Sequence, residues 1–425
     1  MPDFMGKFPW NVPLREERFR RFRDDGAEPF LLVPQGYGVE GVFLQRHNRF
    51  EVECLVEGRP LRAHLPNPGK LRELLLPGAL LLLAPRQGGK LACRVLAVAR
   101  GESWVMVDTI RTNALAAYLL RNNLVPGLEG AEVLQAEYPL GNSRFDFLLR
   151  KDGVPFLLEV KSCTLFHRKL AMFPDAETAR GRKHVEELTE LAREGYRCGV
   201  LFVVQSGDVR FFLPDYHTDY AFSKALLEAR HALDITAVGV DWRERGGIPA
   251  LDRDGPVRQL AIPWDVAEAE CRDGGAYLLV LHLPEAREIE VGRLGALPFR
   301  EGYYVYVGSA VRHLAARTAR HRRRRKTLHW HIDWLREHAA FVAALPVRTG
   351  ENLECALAEV LAPLAAWRVP GFGSSDCACP SHLFGWTENP LLQRDFVETL
   401  LDFRMGRVSA RIEASADATG AARFF

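Results

Sequence analysis

Short stretches in which apolar and polar residues alternate dominate the first quarter of the chain, and turn residues separate them. They predict strands over 49–56, 59–64, 79–84, 91–99 and 103–108. Five short strands suit a small closed barrel. From residue 113 to about 242 the pattern changes to helix, strand, strand, helix, strand, helix, strand. Within it, 143–149 and 156–162 read as apolar strands, 175–194 as an amphipathic helix and 199–205 as a buried strand. A strand, helix and strand in that order predict a right-handed crossover. On the helix, Val185, Leu188 and Leu191, with Ala192 beside them, form the expected buried stripe. Two further apolar strands surround Tyr277 and 304–308, and an amphipathic helix is expected over 391–405 with a mobile polar tail after it.

Charges interrupt this pattern where they are expensive. Asp146 lies inside one apolar strand, and Glu159 and Lys161 lie inside the next, two residues apart and so on one face. A solvent-facing salt bridge on a half-exposed sheet would account for the three alone. The spacing of Asp, twelve residues, then Glu-x-Lys resembles the PD-(D/E)xK nuclease core. That resemblance implies that Asp146 and Glu159 hold a divalent ion, Mg²⁺ or Mn²⁺, and that Lys161 steadies the attacking water or the phosphoryl charge. Hard cations take such oxygen ligands.

The surrounding strings narrow the resemblance. Ser-Arg-Phe-Asp-Phe-Leu-Leu (143–149), Leu-Glu-Val-Lys-Ser-Cys-Thr-Leu (158–165), Phe-Pro-Asp-Ala-Glu-Thr-Ala-Arg-Gly-Arg-Lys-His (173–184) and Leu-Phe-Val-Val-Gln (201–205) follow in order. They resemble the sugar fermentation stimulation protein A family over about residues 30 to 240. The resemblance implies DNA binding, an OB-fold over 31–108 and a nuclease-like α/β core over 109–242, with an unsettled nuclease activity.

A third domain is expected over 273–390, after a polar, turn-rich linker at 243–272. Gly-Ala-Tyr (275–277), Tyr-Val-Tyr-Val-Gly (304–308), Arg317 and Glu354 resemble the GIY-YIG nucleases. That likeness implies that Tyr277 and Tyr306 position or activate water, that Arg317 stabilises phosphoryl charge and that Glu354 binds a divalent ion. Tyrosines on strands are also ordinary sheet chemistry. Ala276 stands where a bulkier residue is usual in that first motif. The fold class is thus a multi-domain α/β protein: barrel, PD-(D/E)xK-like core, GIY-YIG-like α+β domain, and a C-terminal helix with its tail at 391–425.

Composition changes this picture little. The chain has 425 residues and a net charge of +2, enough length for about two or three domains. Leu74 to Ala84 is too short for a membrane span and is broken by Pro77 and Gly78. The leading residues show no apolar export signal, so a soluble cytoplasmic protein with reduced cysteines is expected. Residues 1–30 read as an extension whose Phe4, Phe8, Trp10, Phe19 and Phe22 pack on a neighbouring surface. No internal repeat is evident, and oligomeric state is not legible.

The distribution of charge matters more than its sum. Between Gly308 and His331 stand eight Arg or Lys residues and no acid, ending in Arg320-His321-Arg322-Arg323-Arg324-Arg325-Lys326. A phosphate-facing patch of Arg320, Arg322, Arg323, Arg324, Arg325 and Lys326 is the preferred reading, over a solvated arm. Arg180, Lys183 and His184 form a basic helix flank beside the acidic pair, with a solvated face as the equal alternative. Lys70 and Arg72 follow a Pro-Asn-Pro-Gly turn and are available for single-stranded or duplex DNA, although a plain turn explains them as well. Cys377, Cys379 and His382 raise a structural Zn²⁺ site, completed by Cys355 or His331. Buried reduced cysteines in a tight loop are the preferred reading, since the spacing is tighter than common zinc motifs. Three functions remain open: a metal-dependent DNA phosphodiesterase, a DNA-binding regulatory protein without turnover, and an RNA-contacting scaffold.

Overall fold

A computed structural model describes residues 29–33, 38–86, 88–141, 143–245, 248–252, 255 and 257–418. The expected N-terminal packing of Phe4, Phe8, Trp10, Phe19 and Phe22 lies outside the described residues.

The barrel is built from β1 (Val39–Asn48), β2 (Glu51–Val56), β3 (Arg59–His64), β4 (Leu80–Pro85), β5 (Cys93–Arg100) and β6 (Ser103–Met106). Their order is β3-β2-β1-β4-β5-β6, and a parallel pairing of β3 with β5 closes the first five on themselves. Closure removes the open sheet edge. The long first strand was not expected. Its side chains are mostly exposed, including Val39, Val42 and Leu44, and only Phe43 among its apolar side chains is deeply buried.

After α1 (Thr112–Arg121) a six-stranded sheet forms the second core. Its strands are β7 (Glu132–Leu140), β8 (Ser143–Lys151), β9 (Val154–Cys163), β11 (Arg197–Val204), β13 (Asp234–Val240) and β14 (Val257–Gln259), in the order β14-β13-β11-β9-β8-β7. A separate three-stranded sheet contains β10 (Leu170–Phe173) and β12 (Phe211–Pro214). β9, β11 and β13 run parallel. Their connections carry α2 (Ala179–Arg193) and α3 (Tyr220–Ala229), as parallel pairing requires of a crossover. One face of the sheet packs Leu158, Val160 and Leu201 with Leu115 and Leu119 of α1. The other packs Leu157, Val200 and Phe202 with Val185, Leu188, Phe222 and Leu226 of α2 and α3. Buried on both faces, the central strands read as continuous apolar runs. On α2, Val185 and Leu188 are buried as expected, whereas Leu191 and Ala192 are only partly covered and Gly181, His184 and Thr189 complete the inner face.

The stretch 243–272 is not a bare linker. Strands at Arg243–Arg245 and Ile248–Leu251 pair with each other, and Phe30–Leu31 pairs with the latter; β14 extends the main sheet and α4 (Trp264–Glu270) follows.

The third domain is a five-stranded sheet of β15 (Gly275–Leu283), β16 (Gly302–Ala310), β17 (Ala340–Arg348), β18 (Trp367–Arg368) and β19 (Leu383–Trp386), ordered β17-β15-β16-β19-β18. Its helices include α5 (Leu314–Arg322), α6 (His331–His338) and α7 (Glu354–Leu361). The C-terminal segment is longer and better packed than expected. α8 (Arg394–Leu401), a π turn over Asp402–Gly406 and α9 (Arg407–Ala418) run on in place of a tail starting near 405. Phe396 and Leu400 enter the third-domain core, while Val397, Leu401, Met405, Val408 and Ile412 pack with Leu170, Met172 and Phe211 of the second. No helix among the described residues is long and apolar enough to cross a membrane.

Candidate functional site

Strand divergence opens the first site. β8 and β9 pair from Lys151 opposite Val154 as far as Phe147 opposite Leu158, and there the ladder ends. The next N–H on that edge, from Val160, donates instead to Asp146 Oδ2 at 2.7 Å. Asn113 Nδ2, at the start of α1, donates to Asp146 Oδ1 at 2.9 Å. Both oxygens of this carboxylate are therefore oriented by fixed donors. Burial, then the negative charge of Glu159, pushes the Asp146 carboxyl up to about 6, partly offset by Lys161 and these donors.

Glu159 is only 3% exposed. Its Oε1 takes His184 Nδ1 at 2.5 Å and also the Lys161 ammonium. Burial works against its charge, but His184 and Lys161 outweigh burial and hold the carboxyl below its ordinary range. Its Oε2 is buried and has no hydrogen-bond partner among the described residues. A buried carboxylate oxygen without a donor is costly, and a cation would satisfy it. The donor set of two carboxylates fits a hard divalent ion that retains several waters.

His184 corrects one expectation. It was placed on a DNA-facing flank with Arg180 and Lys183, yet it is 7% exposed and points inward at Glu159. Arg180 and Lys183 are exposed, and Lys183 pairs with Glu187 at 3.3 Å. Lys70 is exposed and Arg72 half-buried. They lie on the loop that docks against the second core, where the Leu71 N–H donates to Asp175 Oδ2 at 3.2 Å. Gly69 is required there, because a Cβ would stand 2.3 Å from that same oxygen.

The second site lies in the third domain. β15 and β16 pair antiparallel with Tyr277 opposite Gly308, which makes Tyr306 its diagonal neighbour; the ring centroids are 6.4 Å apart. A side chain at Gly308 would collide with Tyr277, since a Cβ would come within 2.6 Å of the phenol. Burial raises both phenols well above their ordinary range, so each is a neutral hydroxyl near pH 7. The Tyr277 hydroxyl is 3.0 Å from His321 Nε2, and His321 Nδ1 is 3.5 Å from buried Asp333. Arg317 lies over the Trp330 ring at 4.3 Å, and its charge acts on both tyrosines, as does that of Glu354. Glu354 accepts from Ser309 Oγ through Oε2 and faces His382 Nδ1 at 3.1 Å through Oε1. These two partners outweigh burial and lower its carboxyl. The four residues singled out in the sequence are thus brought together. Asn113, His321 and Ser309 were not singled out as site residues in the sequence, because none carries a distinctive spacing.

The basic run divides. Arg322, Arg323, Arg324 and Arg325 are exposed. Arg320 and Lys326, expected beside them, turn inward: Arg320 grips both oxygens of Asp333 at 3.1 and 3.0 Å, and Lys326 Nζ lies 2.7 Å from it with its side chain 5% exposed. An acid seven residues beyond the run supplies the counter-charge that the run itself lacks.

The cysteine loop also departs from expectation. Cys377 and Cys379 are half-buried and Cys355 is exposed, so they are not core thiols. Cys355 joins Cys377, Cys379 and His382, with all four ligand atoms within 4.8 Å of one another. His331 stays outside, its Nδ1 accepting from the Gly373 N–H at 3.1 Å.

Three family models match the chain: the SfsA N-terminal OB domain over 44–107, the sugar fermentation stimulation protein RE domain over 110–246, and a domain of unknown function, DUF123, over 276–405. A sugar fermentation stimulation protein homolog from Methanothermobacter thermautotrophicus is 42% identical over 232 residues, 53% of this chain and 94% of that protein. The chain belongs to the sugar fermentation stimulation protein family. A homolog of the same name from Natranaerobius thermophilus is 39% identical, covering 49% of this chain and 92% of its own length. A solved structure of Pyrococcus furiosus SfsA in complex with Ca²⁺ is 28% identical and covers 55% of this chain and 99% of that one, at a TM-score of 0.49. The family's OB barrel is β1 to β5, closed, with β6 paired at its edge.

Proposed function

We propose that this family member binds DNA and hydrolyses its phosphodiester backbone at the Asp146–Glu159–Lys161 site with Mg²⁺ or Mn²⁺. The observation that carries the reading is the Glu159 Oε2 atom, buried near Asp146 and without a donor among the described residues. Asp146 and Glu159 would hold the ion. When bound, a divalent ion there supplies charge neutralisation on the scissile phosphate.

The chain's own groups prepare the rest. His184 fixes the Glu159 carboxylate, as the Val160 N–H and Asn113 fix Asp146. Lys161, with its side chain 15% exposed, is held against Glu159 at the sheet edge. From there it orients the attacking water or donates to a phosphate oxygen. Arg180 and Lys183 on the exposed side of α2 track the DNA backbone, with Lys70 and Arg72 extending that track to the barrel. The third domain supplies a second phosphate-directed centre. Arg317 stabilises charge, Tyr277, oriented by His321, and Tyr306 position the attacking water, and Glu354 is the acid for a cation. Exposed Arg322 to Arg325 provide its electrostatic footprint.

A second reading has one specific support. The Lys161 ammonium already compensates the Glu159 charge, which suits a regulatory protein that binds DNA without turnover. Cleavage of single-stranded, duplex and branched DNA with and without Mn²⁺, by the full chain and its Glu159→Gln and Glu354→Ala variants, decides between them. Metal-dependent cutting lost in Glu159→Gln supports hydrolysis at the first site. Salt-sensitive binding without cutting by any form establishes the regulatory reading.

A further inference from the structure

We propose that Cys355, Cys377, Cys379 and His382 form a zinc site that braces the third domain beneath its phosphate-directed centre. Among the described residues this is the one group of three or more metal-ligating side chains so tightly converged. Three thiols and an imidazole are the donor set of a structural zinc ion, and the ligands come from two distant parts of the chain, as a cross-brace requires. The spacing of the Cys377 and His382 ligand atoms agrees with a tetrahedral site. Zn–S and Zn–N bonds of about 2.3 and 2.05 Å place a sulfur and a nitrogen ligand about 3.6 Å apart. Cys377 Sγ and His382 Nε2 are 3.5 Å apart.

The orientation of His382 is the second observation. Its Nε2 faces the sulfur cluster while its Nδ1 lies 3.1 Å from Glu354 Oε1. A metal-bound histidine commonly donates its other ring N–H to a carboxylate, which fixes the ring and its tautomer. Here the imidazole is 1% exposed and already set in that way. The thiolates of such a site bind after losing their protons, so zinc uptake releases protons.

The brace would act where the third domain needs it. Cys355 stands in the first turn of α7, directly after Glu354. Cys377, Cys379 and His382 hold the loop whose Gly373 lies against Tyr306, with room for no Cβ because one would come within 2.7 Å of that ring. One ion would therefore hold Tyr306 from behind and orient Glu354 through His382. The site takes zinc and leaves the hard divalent ion of the first centre to carboxylate oxygens. The zinc assignment stands on ligand geometry alone; only the orientation of Glu354 draws on the proposed function.

Zinc content of the full-length protein, purified under reducing conditions, tests the assignment. The expected result is about one zinc per chain, released when a mercurial blocks the thiols. Replacement by Co²⁺ should give thiolate-to-cobalt charge-transfer bands and the strong visible absorption of a tetrahedral site. Cys377→Ser and Cys379→Ser should lose both signals. Glu354→Ala should keep the tetrahedral cobalt spectrum but bind zinc about 10- to 100-fold more weakly, as loss of a carboxylate behind a ligating histidine does. Protein that holds no zinc as purified, takes up no Co²⁺ when reduced and shows a disulfide among these cysteines by mass overturns the proposal. These readouts are independent of DNA cleavage, so they stand or fall separately from the nuclease reading.

Discussion

Asp333 offers the sharpest test of how the third domain is assembled. Its carboxylate is fully buried and takes Arg320 on both oxygens, Lys326 at 2.7 Å, and the backbone N–H groups of His329 and Trp330 at 3.0 and 3.1 Å. It also faces His321, which contacts Tyr277. Asp333→Asn retains the volume and one acceptor but removes the charge. Lys326, with its side chain 5% exposed, and Arg320, at 26%, would then be cations without a counter-ion. Breaking a buried pair from one side costs about 3–5 kcal/mol. Because Arg320 reaches solvent and Asn keeps an acceptor, the lower end, about 3 kcal/mol, is expected. In guanidinium, with a slope of about 4 kcal/mol per molar, that displaces the midpoint by about 0.7 M. Arg317 and Arg320 lie over the Trp330 ring at 4.3 and 4.4 Å, so Trp330 contributes to the fluorescence change among the eight tryptophans of the chain. Burial opposes ionisation of Asp333, but its hydrogen-bond donors win and its folded carboxyl lies far below the ordinary value. The unfolded chain therefore takes up the proton first. The advantage over Asp333→Asn is complete above about pH 4, the ordinary range of an unfolded aspartate, and is lost as pH falls toward the folded value. A variant within about 0.5 kcal/mol of the native protein at pH 7, or a difference unchanged in acid, refutes the argument.

Glu159→Gln should lower Mn²⁺-dependent cleavage by about a hundredfold or more, since it removes a metal-holding charge worth several kcal/mol, while metal-free DNA binding measured by anisotropy stays close to native. Replacing Arg322, Arg323, Arg324 and Arg325 by Ser should flatten the plot of log affinity against log salt by up to about 3–4 on duplex DNA; an unchanged slope removes the patch from the interface. His217 is buried between the second and third domains, and burial, then Arg404, holds its imidazole well below its ordinary value. The unfolded state then protonates first, so native stability should fall as pH drops below about 6.5. His217→Asn, which keeps an acceptor for the Arg348 N–H, should weaken that dependence in denaturation curves taken across pH.

How much the sequence disclosed depended on whether a signal was local. Asp146, Glu159 and Lys161 announced themselves as charges inside apolar strands. Tyr277 and Tyr306 did so only through the order of their motifs. The role of His184 was overlooked although its helical phase carried it: it lies four residues before Leu188 and directly before Val185, on the buried side of α2. Grouping it with Arg180 and Lys183 by charge obscured that phase. β1 escaped because exposed Val39, Val42 and Leu44 blur its alternation. Arg320 and Lys326 could not be separated from their arginine neighbours by composition, since what turns them inward is Asp333, across the start of α6. Cys355 was one of two candidates for the cysteine cluster. Sequence spacing had no means to choose it over His331, because that choice is made by the packing of α7 beside the loop after β18.

The stretch 243–272, expected as a polar, turn-rich linker, leads into a packed join between the second and third domains. Glu270 is buried, with Arg407 at 2.6 Å and Arg411 at 2.7 Å. Arg404 Nε donates to the Pro346 carbonyl, and His217 accepts from the Arg348 N–H while its other nitrogen meets the Arg404 carbonyl. Asp402 takes both His167 and Arg168. These contacts tie the second domain and the 243–272 stretch to the third domain, directly through His217 and Arg348 and otherwise through the C-terminal helices. Swinging the domains apart would strand several buried polar atoms at about 1–3 kcal/mol each, besides exposing the apolar face of α8 and α9. Such a seam is held in one geometry. On the proposed function, a DNA backbone that engaged both centres would meet them at the separation this seam sets, and a substitution at the seam, such as His217→Asn, would alter how the two centres work together without touching either.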